Sequence, residues 1–423
     1  MKKVLTAILA AALCLLTLAS CGNPGEFSDG ERLSGKYQRN KDSAVTFHYA
    51  DGATEPPESY ANFANTATTF TLKAFRSRAA EADNSFVFSP VSPVLQLAML
   101  SNAASPDTRQ EILTALGSEL GVDGLNACAS YFKSRMESVS ALNTDKTPQE
   151  HVALGGAVLI DDSIDVKSSF LQNVKDFYDY DVFRFDFEGE HADNKLKNYL
   201  KAGGSVDLSG GEINLISFEE ISDSWLNAYR PSDISEGVFN GAAGQRKATF
   251  LASNETKVQS DKAVGIVKYT AKNPLKLILV QPKNGAALAD YAKGFDSGEY
   301  ETLLNSVDIT KQTQAVIPAF SVEADKTAVP ISGNLTKNGL YTLFTEKAGF
   351  SALSYTESAK MGEMFNIAPS FSLNQYGINY EAAAAAQEGE RGKTEDEVKF
   401  DHPFLFILAD NETNLPVLMG TYQ

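Results

Sequence analysis

Cysteine is almost missing from this 423-residue chain: the three present are Cys14, Cys21 and Cys128. Two of them lie at the extreme N-terminus, so the body keeps one thiol and cannot form an internal disulfide. Its stability must come from apolar burial. Cys128, in Leu125-Asn126-Ala127-Cys128 with no neighbouring histidine, reads as a small core residue and not as a nucleophile. Histidine is also scarce. His48, His151, His191 and His402 form no HExxH and no Cys/His cluster, so no metal site is expected. G-x-S-x-G, Walker and dinucleotide-binding glycine motifs are all lacking, so no catalytic residue and no cofactor is assigned, and the chain is not expected to be an enzyme. The pairs Glu219-Glu220 and Asp161-Asp162 read as solvated faces or turns. Positive charge is short as well: 37 Lys and Arg stand against 54 Asp and Glu, a net charge of −17. Losing Lys2 and Lys3 with a leader would make it −19, that is −17 less 2. With no basic cluster anywhere, nucleic acid is an improbable partner.

What is present begins with a leader. Met1-Lys2-Lys3 precedes an apolar stretch from Val4 to Leu18, of signal-peptide length and too short to span a bilayer comfortably. It ends in Leu18-Ala19-Ser20-Cys21, which resembles a bacterial lipobox. Cleavage before Cys21 would leave it as a lipid-bearing N-terminus. The alternative is an ordinary signal peptide with a chance cysteine. Residues 1–20 are thus expected to be a lipoprotein signal peptide. Residues 21–59, polar and containing Pro56-Pro57, read as a flexible tether, and residues 60–423 as one domain without an internal linker. The membrane would be met only through the lipid, on the outside of the cell, and a monomer is expected.

The domain is rich in apolar residues, 43% of the chain with 25 Phe and 16 Tyr, enough for a large core. Phe63, Ala67, Phe70 and Ala74 alternate four and three apart and predict a helix over Asn62 to Arg78. A nearly all-apolar helix should start at Ser92-Pro93, another at Pro106, and a third should cover Ser168 to Tyr178. Strands follow. Ala263 to Tyr269 and Leu275 to Val280 form a hairpin signal, Gln314 to Val322 a further strand, and Phe404 to Leu408 with Val417 to Gly420 a closing pair. Helices early and strands late make the class α+β with mainly antiparallel sheets. Sequons at Asn254, Asn334 and Asn411 match by chance in a chain with a bacterial leader.

One segment fits no ordinary element. Tyr380-Glu381 leads into Ala382-Ala383-Ala384-Ala385-Ala386, which would favour a helix, yet a charged and glycine-broken stretch follows at once from Gln387 to Asp396. Then Val398 to Phe406 resumes a strand. This order resembles the C-terminal part of the serpin family: a strand ending in Leu373-Asn374-Gln375-Tyr376-Gly377, an alanine-rich hinge, an exposed loop, and Asp401-His402-Pro403-Phe404-Leu405-Phe406. Asn84 to Ser92, Asp107 to Leu116, Leu215 to Phe218 followed by Trp225, and Gly349 to Ser354 resemble other family segments in the right order. The resemblance runs from about Ala64 to Gln423.

The resemblance implies a serpin fold, with helices on a large central sheet and an exposed reactive-centre loop. It also implies inhibition of serine proteases, with cysteine proteases as a second target class: a protease cuts the loop, stays joined by an acyl bond, and is dragged off as the hinge inserts into the sheet. Trypsin-like targets fit Arg391 and Lys393. If Gly377 is the hinge glycine, the cleaved bond is Arg391-Gly392; if Glu381 is the hinge acid, it is Lys393-Thr394. Gly377 is the preferred anchor because only glycine freely adopts unusual backbone angles. In either register Tyr380 shares the inward parity of Ala382 and Ala384, a bulky group where small ones are needed. That keeps open a non-inhibitory serpin acting as a binding or chaperone-like protein. Gly155, Gly156 and Ser217 stand where the family usually has asparagines, which leaves the usual polar pinning of the sheet in question.

Overall fold

The computed structural model describes residues 31–40, 43, 54–141, 150–189, 208–271, 274–323, 329–355, 359–367, 370–380, 394 and 396–423. The leader, Cys21, His48 and His191, and the loop residues Glu381 to Lys393 lie outside them.

Strands in the first half are β1 (Glu31–Arg32), β2 (Phe86–Phe88), β3 (His151–Asp161), β4 (Asp181–Phe185) and β5 (Ile213–Ser224). A β-rich stretch follows: β6 (Ile234–Gly241), β7 (Gly244–Gln259), β8 (Ala263–Tyr269), β9 (Leu275–Pro282), β10 (Gln312–Pro318), β11 (Phe320–Val322) and β12 (Val329–Pro330). The last are β13 (Met361–Ile367), β14 (Phe371–Leu373), β15 (Gly377–Ile378), β16 (Glu397–Lys399), β17 (Phe404–Asp410) and β18 (Pro416–Tyr422). The first sheet runs β1-β4-β3-β5-β15-β14-β11, with β13 on β5 and β12 on β13; the second runs β16-β10-β7-β8-β9-β17-β18-β2, with β6 on β7. Pairing is antiparallel except at β3–β4, β13–β5 and β10–β16.

Helix α1 (Tyr60–Glu81) buries Tyr60, Phe63, Ala67, Phe70 and Ala74 on one face, as the spacing requires. Helix α2 (Val91–Leu100) carries Pro93 in its first turn and is buried at every position, packed between β5 and β18. Helix α3 (Pro106–Leu116) starts on its proline and stops at Gly117, whose φ of +67° closes the C-terminus in the left-handed conformation. Helix α4 (Gly121–Ala141) was not singled out from sequence; it holds Cys128 in the core, where burial pushes the thiol pKa up. The expected helix from Ser168 is α-helical only to Asn173 and then widens into a π turn over Val174–Tyr178.

Part of the stretch read as tether is docked. Arg32 pairs with Asp181 beside the β1–β4 ladder, Leu33 is buried, and Arg39 donates to the Asp176 carbonyl at 2.9 Å. The apolar Leu33, inside a polar run, is what anchors it.

Candidate functional site

Strand β5 is the spine of the site. Its first half, Ile213 to Phe218, pairs in parallel with β13, while its far end pairs antiparallel with β15. The chain reaches β15 by a tight reversal. Asn374 Oδ1 accepts from the amides of Tyr376 at 2.8 Å and Gly377 at 3.2 Å, an Asx-type turn. Trp225, the chain's one tryptophan, clamps it by donating its indole N–H to the Asn374 carbonyl at 2.8 Å. After the turn, Gly377 faces Ser224, and Ile378 faces Asp223 on one side and Leu373 of β14 on the other. The segment expected to be the hinge therefore lies as a short strand between β5 and β14.

Gly377 is needed there for a different reason than sequence suggested. Its φ is not positive; instead a Cβ would sit 2.1 Å from the Asp223 carbonyl oxygen. Close approach of two backbones, not freedom of angle, selects glycine. Entry stops one residue past Ile378. Asn379 takes a left-handed φ of 49° and sends its side chain into the gap ahead of the strand. Its Nδ2 donates to the Ile221 carbonyl at 2.9 Å and the Ser370 carbonyl at 3.0 Å, and its Oδ1 accepts from the Ser372 amide at 2.7 Å. Tyr380 follows, 9% exposed, its carbonyl accepting from Asn374 Nδ2 at 2.9 Å. Burial, then the negative charges of Glu150 and Asp223, raise its hydroxyl pKa.

A polar cluster pins the sheet to α2. Asn366 Nδ2 donates to Ser217 Oγ at 3.1 Å, and Gln96 Nε2 and Ser217 Oγ both reach the Phe365 carbonyl at 3.4 Å. Ser89 and Ser92 share a hydrogen bond of 3.0 Å. The serine at 217 thus still pins the sheet, with Asn366 supplying the amide. Gly155 and Gly156 serve packing: a Cβ on the first would strike the Phe218 ring at 2.1 Å, and on the second the Tyr180 ring at 2.6 Å.

Glu219 corrects the reading of the Glu219-Glu220 pair as a solvated face. It is 4% exposed, against the α2 cluster, and burial pushes its pKa up to about 8 despite the Ser89 and Asn366 hydrogen bonds. Its Oε2 has no hydrogen-bond partner among the described residues. Asp161 does behave as a turn residue, accepting from the Ser163 and Phe187 amides. Nearer the turn, Lys268 is buried on Glu255 at 2.7 Å with the Trp225 and Tyr229 rings against its ammonium. Burial opposes that charge, but Glu255 and Tyr229 outweigh it and hold the Lys268 pKa above its usual value.

The C-terminal side of the loop enters the other sheet. Lys257 pairs with Asp396, β16 lies parallel to β10, and the Asn240 amide donates to the Asp401 carbonyl at 2.7 Å. Thr394 is half-buried beside Asp396. Of the residues named from sequence, Gly377 and Tyr380 are brought to the seam. Glu381, Ala382 to Ala386, Arg391, Gly392 and Lys393 lie outside the described residues. Sequence reasoning passed over Asn379, Gln96 and Lys268. Asparagine is the non-glycine residue that best tolerates the left-handed region, so Asn379, two residues after Gly377, was a usable signal.

Comparison with known proteins agrees with this geometry. The family model described as "Serpin (serine protease inhibitor)" matches residues 65–204 and 212–423. Thyroxine-binding globulin of Ovis aries is 24% identical over 376 residues, covering 83% of this chain and 87% of that protein. An uncharacterized serpin-like protein of Methanosarcina mazei is 22% identical, covering 100% of this chain and 98% of the relative. The native-state crystal structure of the thermophilic serpin tengpin superposes with a TM-score of 0.75 at 21% identity, over 93% of this chain and 99% of that one. The family match over most of the sequence, together with the matching fold and a central sheet in which β15 lies between β5 and β14, places the chain in the serpin family.

Proposed function

We propose that this serpin is a single-use inhibitor of trypsin-like serine proteases that works by loop cleavage, acyl trapping and insertion between β5 and β14. The observation that carries the reading is the strand Gly377–Ile378, already lodged in that gap and antiparallel to β5. Continuing its register would set Tyr380 opposite Ile221, Ala382 opposite Glu219 and Ala384 opposite Ser217, all on the face toward α2. Small alanines suit a face with no spare volume. The protease serine adds to the carbonyl carbon of Arg391, the Arg391-Gly392 bond breaks, and the Gly392 amine leaves with a proton from the protease histidine. Water would then hydrolyse the ester; insertion of the hinge has to outrun it. The chain itself supplies bait and strand, and no catalytic group.

Incubation with trypsin should give a complex that survives a denaturing gel. Arg391→Ala should abolish it and Lys393→Ala leave it nearly intact; the reverse pattern moves the bond to Lys393-Thr394. Absence of complex with both variants unaltered from the parent would remove the proposal. A second reading, a non-inhibitory binding protein, is favoured by Tyr380 on the inward face and by a relative named thyroxine-binding globulin. On that reading trypsin would cut the loop without trapping. We also propose that Cys21 is the lipidated N-terminus, tying the inhibitor to the outer cell surface. A mature protein whose first residue by mass spectrometry is not an acylated Cys21 would remove that assignment.

A further inference from the structure

The bonds around Asn379 do two things at once. Its side chain joins β5 and β14 just ahead of the hinge, through Ile221 and Ser370 carbonyls, the Ser372 amide and, at 3.1 Å, the Ser372 hydroxyl. Its backbone is held as well: its amide donates to the Ser372 carbonyl at 2.9 Å, and its carbonyl accepts from Ser222 Oγ at 3.0 Å. Strand edges at a split in a sheet would otherwise present bare backbone groups, which are costly to bury unpaired. One amide side chain therefore stands in for the ladder bonds of the next inserted residue.

That arrangement cannot survive insertion. In an extended strand, neighbours alternate faces, so with Ile378 and Tyr380 directed toward α2, residue 379 must direct its side chain to the opposite face. Its φ must also leave the left-handed region. Every side-chain bond of Asn379 has to break before a new ladder bond forms behind Tyr380. The chemistry also explains the residue type. Aspartate could accept from Ser372 but not donate to Ile221 and Ser370, glycine would keep the angle but leave the strand edges bare, and alanine would do neither.

We infer that Asn379 is a positioning residue, a latch that halts the hinge one residue past Ile378 and sets the threshold for loop insertion. This rests on the inhibitory reading given above. Asn379→Gly keeps the backbone angle accessible and removes the latch. The uncut variant, held warm below its unfolding temperature, should take up its own loop and pass to a hyperstable form about tenfold faster than the parent, the effect of one or two net hydrogen bonds lost from the barrier. Conversion is read on urea gels and by the fluorescence of Trp225. Against trypsin, fewer variant molecules should be consumed per protease trapped, because faster insertion wins more often against hydrolysis.

A merely structural asparagine would give a variant that unfolds more readily while conversion and stoichiometry stay as in the parent, and that result overturns the latch. If Asn379→Gly does not fold, Asn379→Asp, which loses only the two donated bonds, should still convert faster; a parental or slower rate overturns the inference. The two failures are separable. A parent that gains no stability when its loop is cut defeats the inhibitory reading and the latch with it. A parent that gains stability while neither variant converts faster defeats the latch alone.

Discussion

At Glu219 a carboxyl group lies among Ser89, Asn366 and the α2 helix, where water does not reach it. Burial disfavours its charged form, so the folded chain keeps the proton up to about pH 8. The unfolded chain releases it near the ordinary glutamate value, about 4.3. Between these limits the unfolded state binds fewer protons, so stability falls as pH rises through the window and levels off above it. The loss from this one group is roughly 5 kcal/mol at most. Glu219→Gln keeps the shape of the protonated acid without a proton to lose. The variant should match the parent at pH 4, exceed it by a few kcal/mol at pH 8.5, and show a flatter slope between (about the same ceiling). Urea unfolding at several pH values measures this directly; parallel slopes for the two proteins would show that Glu219 does not titrate in that range.

Elements were legible where a local pattern decides them. The three-and-four spacing of Phe63, Ala67, Phe70 and Ala74 marks α1, and the hairpin β8–β9 follows from two apolar runs around a short turn. The segment Gln314 to Val322 reads as one strand because residues 315–320 are a continuous apolar run, yet it divides after Pro318. β10 pairs with β7 in one sheet and β11 with β14 in the other. Nothing local announces a strand that changes sheets. The same limit hid the seam. Gly377 faces Ser224, and Asn379 bonds to Ile221, 158 residues away in sequence. The alanine run suggests a hinge by composition alone and lies outside the described residues, whereas the partners of Gly377 and Asn379 are fixed only by the fold. Glu219 was misread for a related reason. Adjacent residues of a strand face opposite ways, so Glu220 reaches outward to His151 while Glu219 turns in.

Across the whole molecule, the central sheet is held together at its weakest type of contact. β5 and β13 pair in parallel, with a register shift between Met361 and Met364, and parallel ladders are slightly less stable per residue than antiparallel ones. A loop entering behind Ile378 would replace that single parallel seam by two antiparallel ones. Each residue added gives its N–H and C=O to neighbouring strands at roughly 0.5–1.5 kcal/mol net per bond. Several residues, less the few parallel bonds given up, come to about 10 kcal/mol, and for a domain of this size that raises Tm by on the order of 10 °C. What restrains the intact chain is that its loop is tied at both ends, to β15 on one side and to β16 in the other sheet. Cleavage releases only the second tie, leaving the hinge side joined to β15 and free to extend it. Brief trypsin treatment, followed by calorimetry of the cut but unseparated chain, should show this rise, with Trp225 reporting the change beside it. If Tyr380 blocks the inward face the rise will be small in the parent and restored in Tyr380→Ala. Equal melting temperatures for cut and intact forms of both proteins would mean that the sheet does not open to the loop, and the chain would then be a binding protein on a serpin fold.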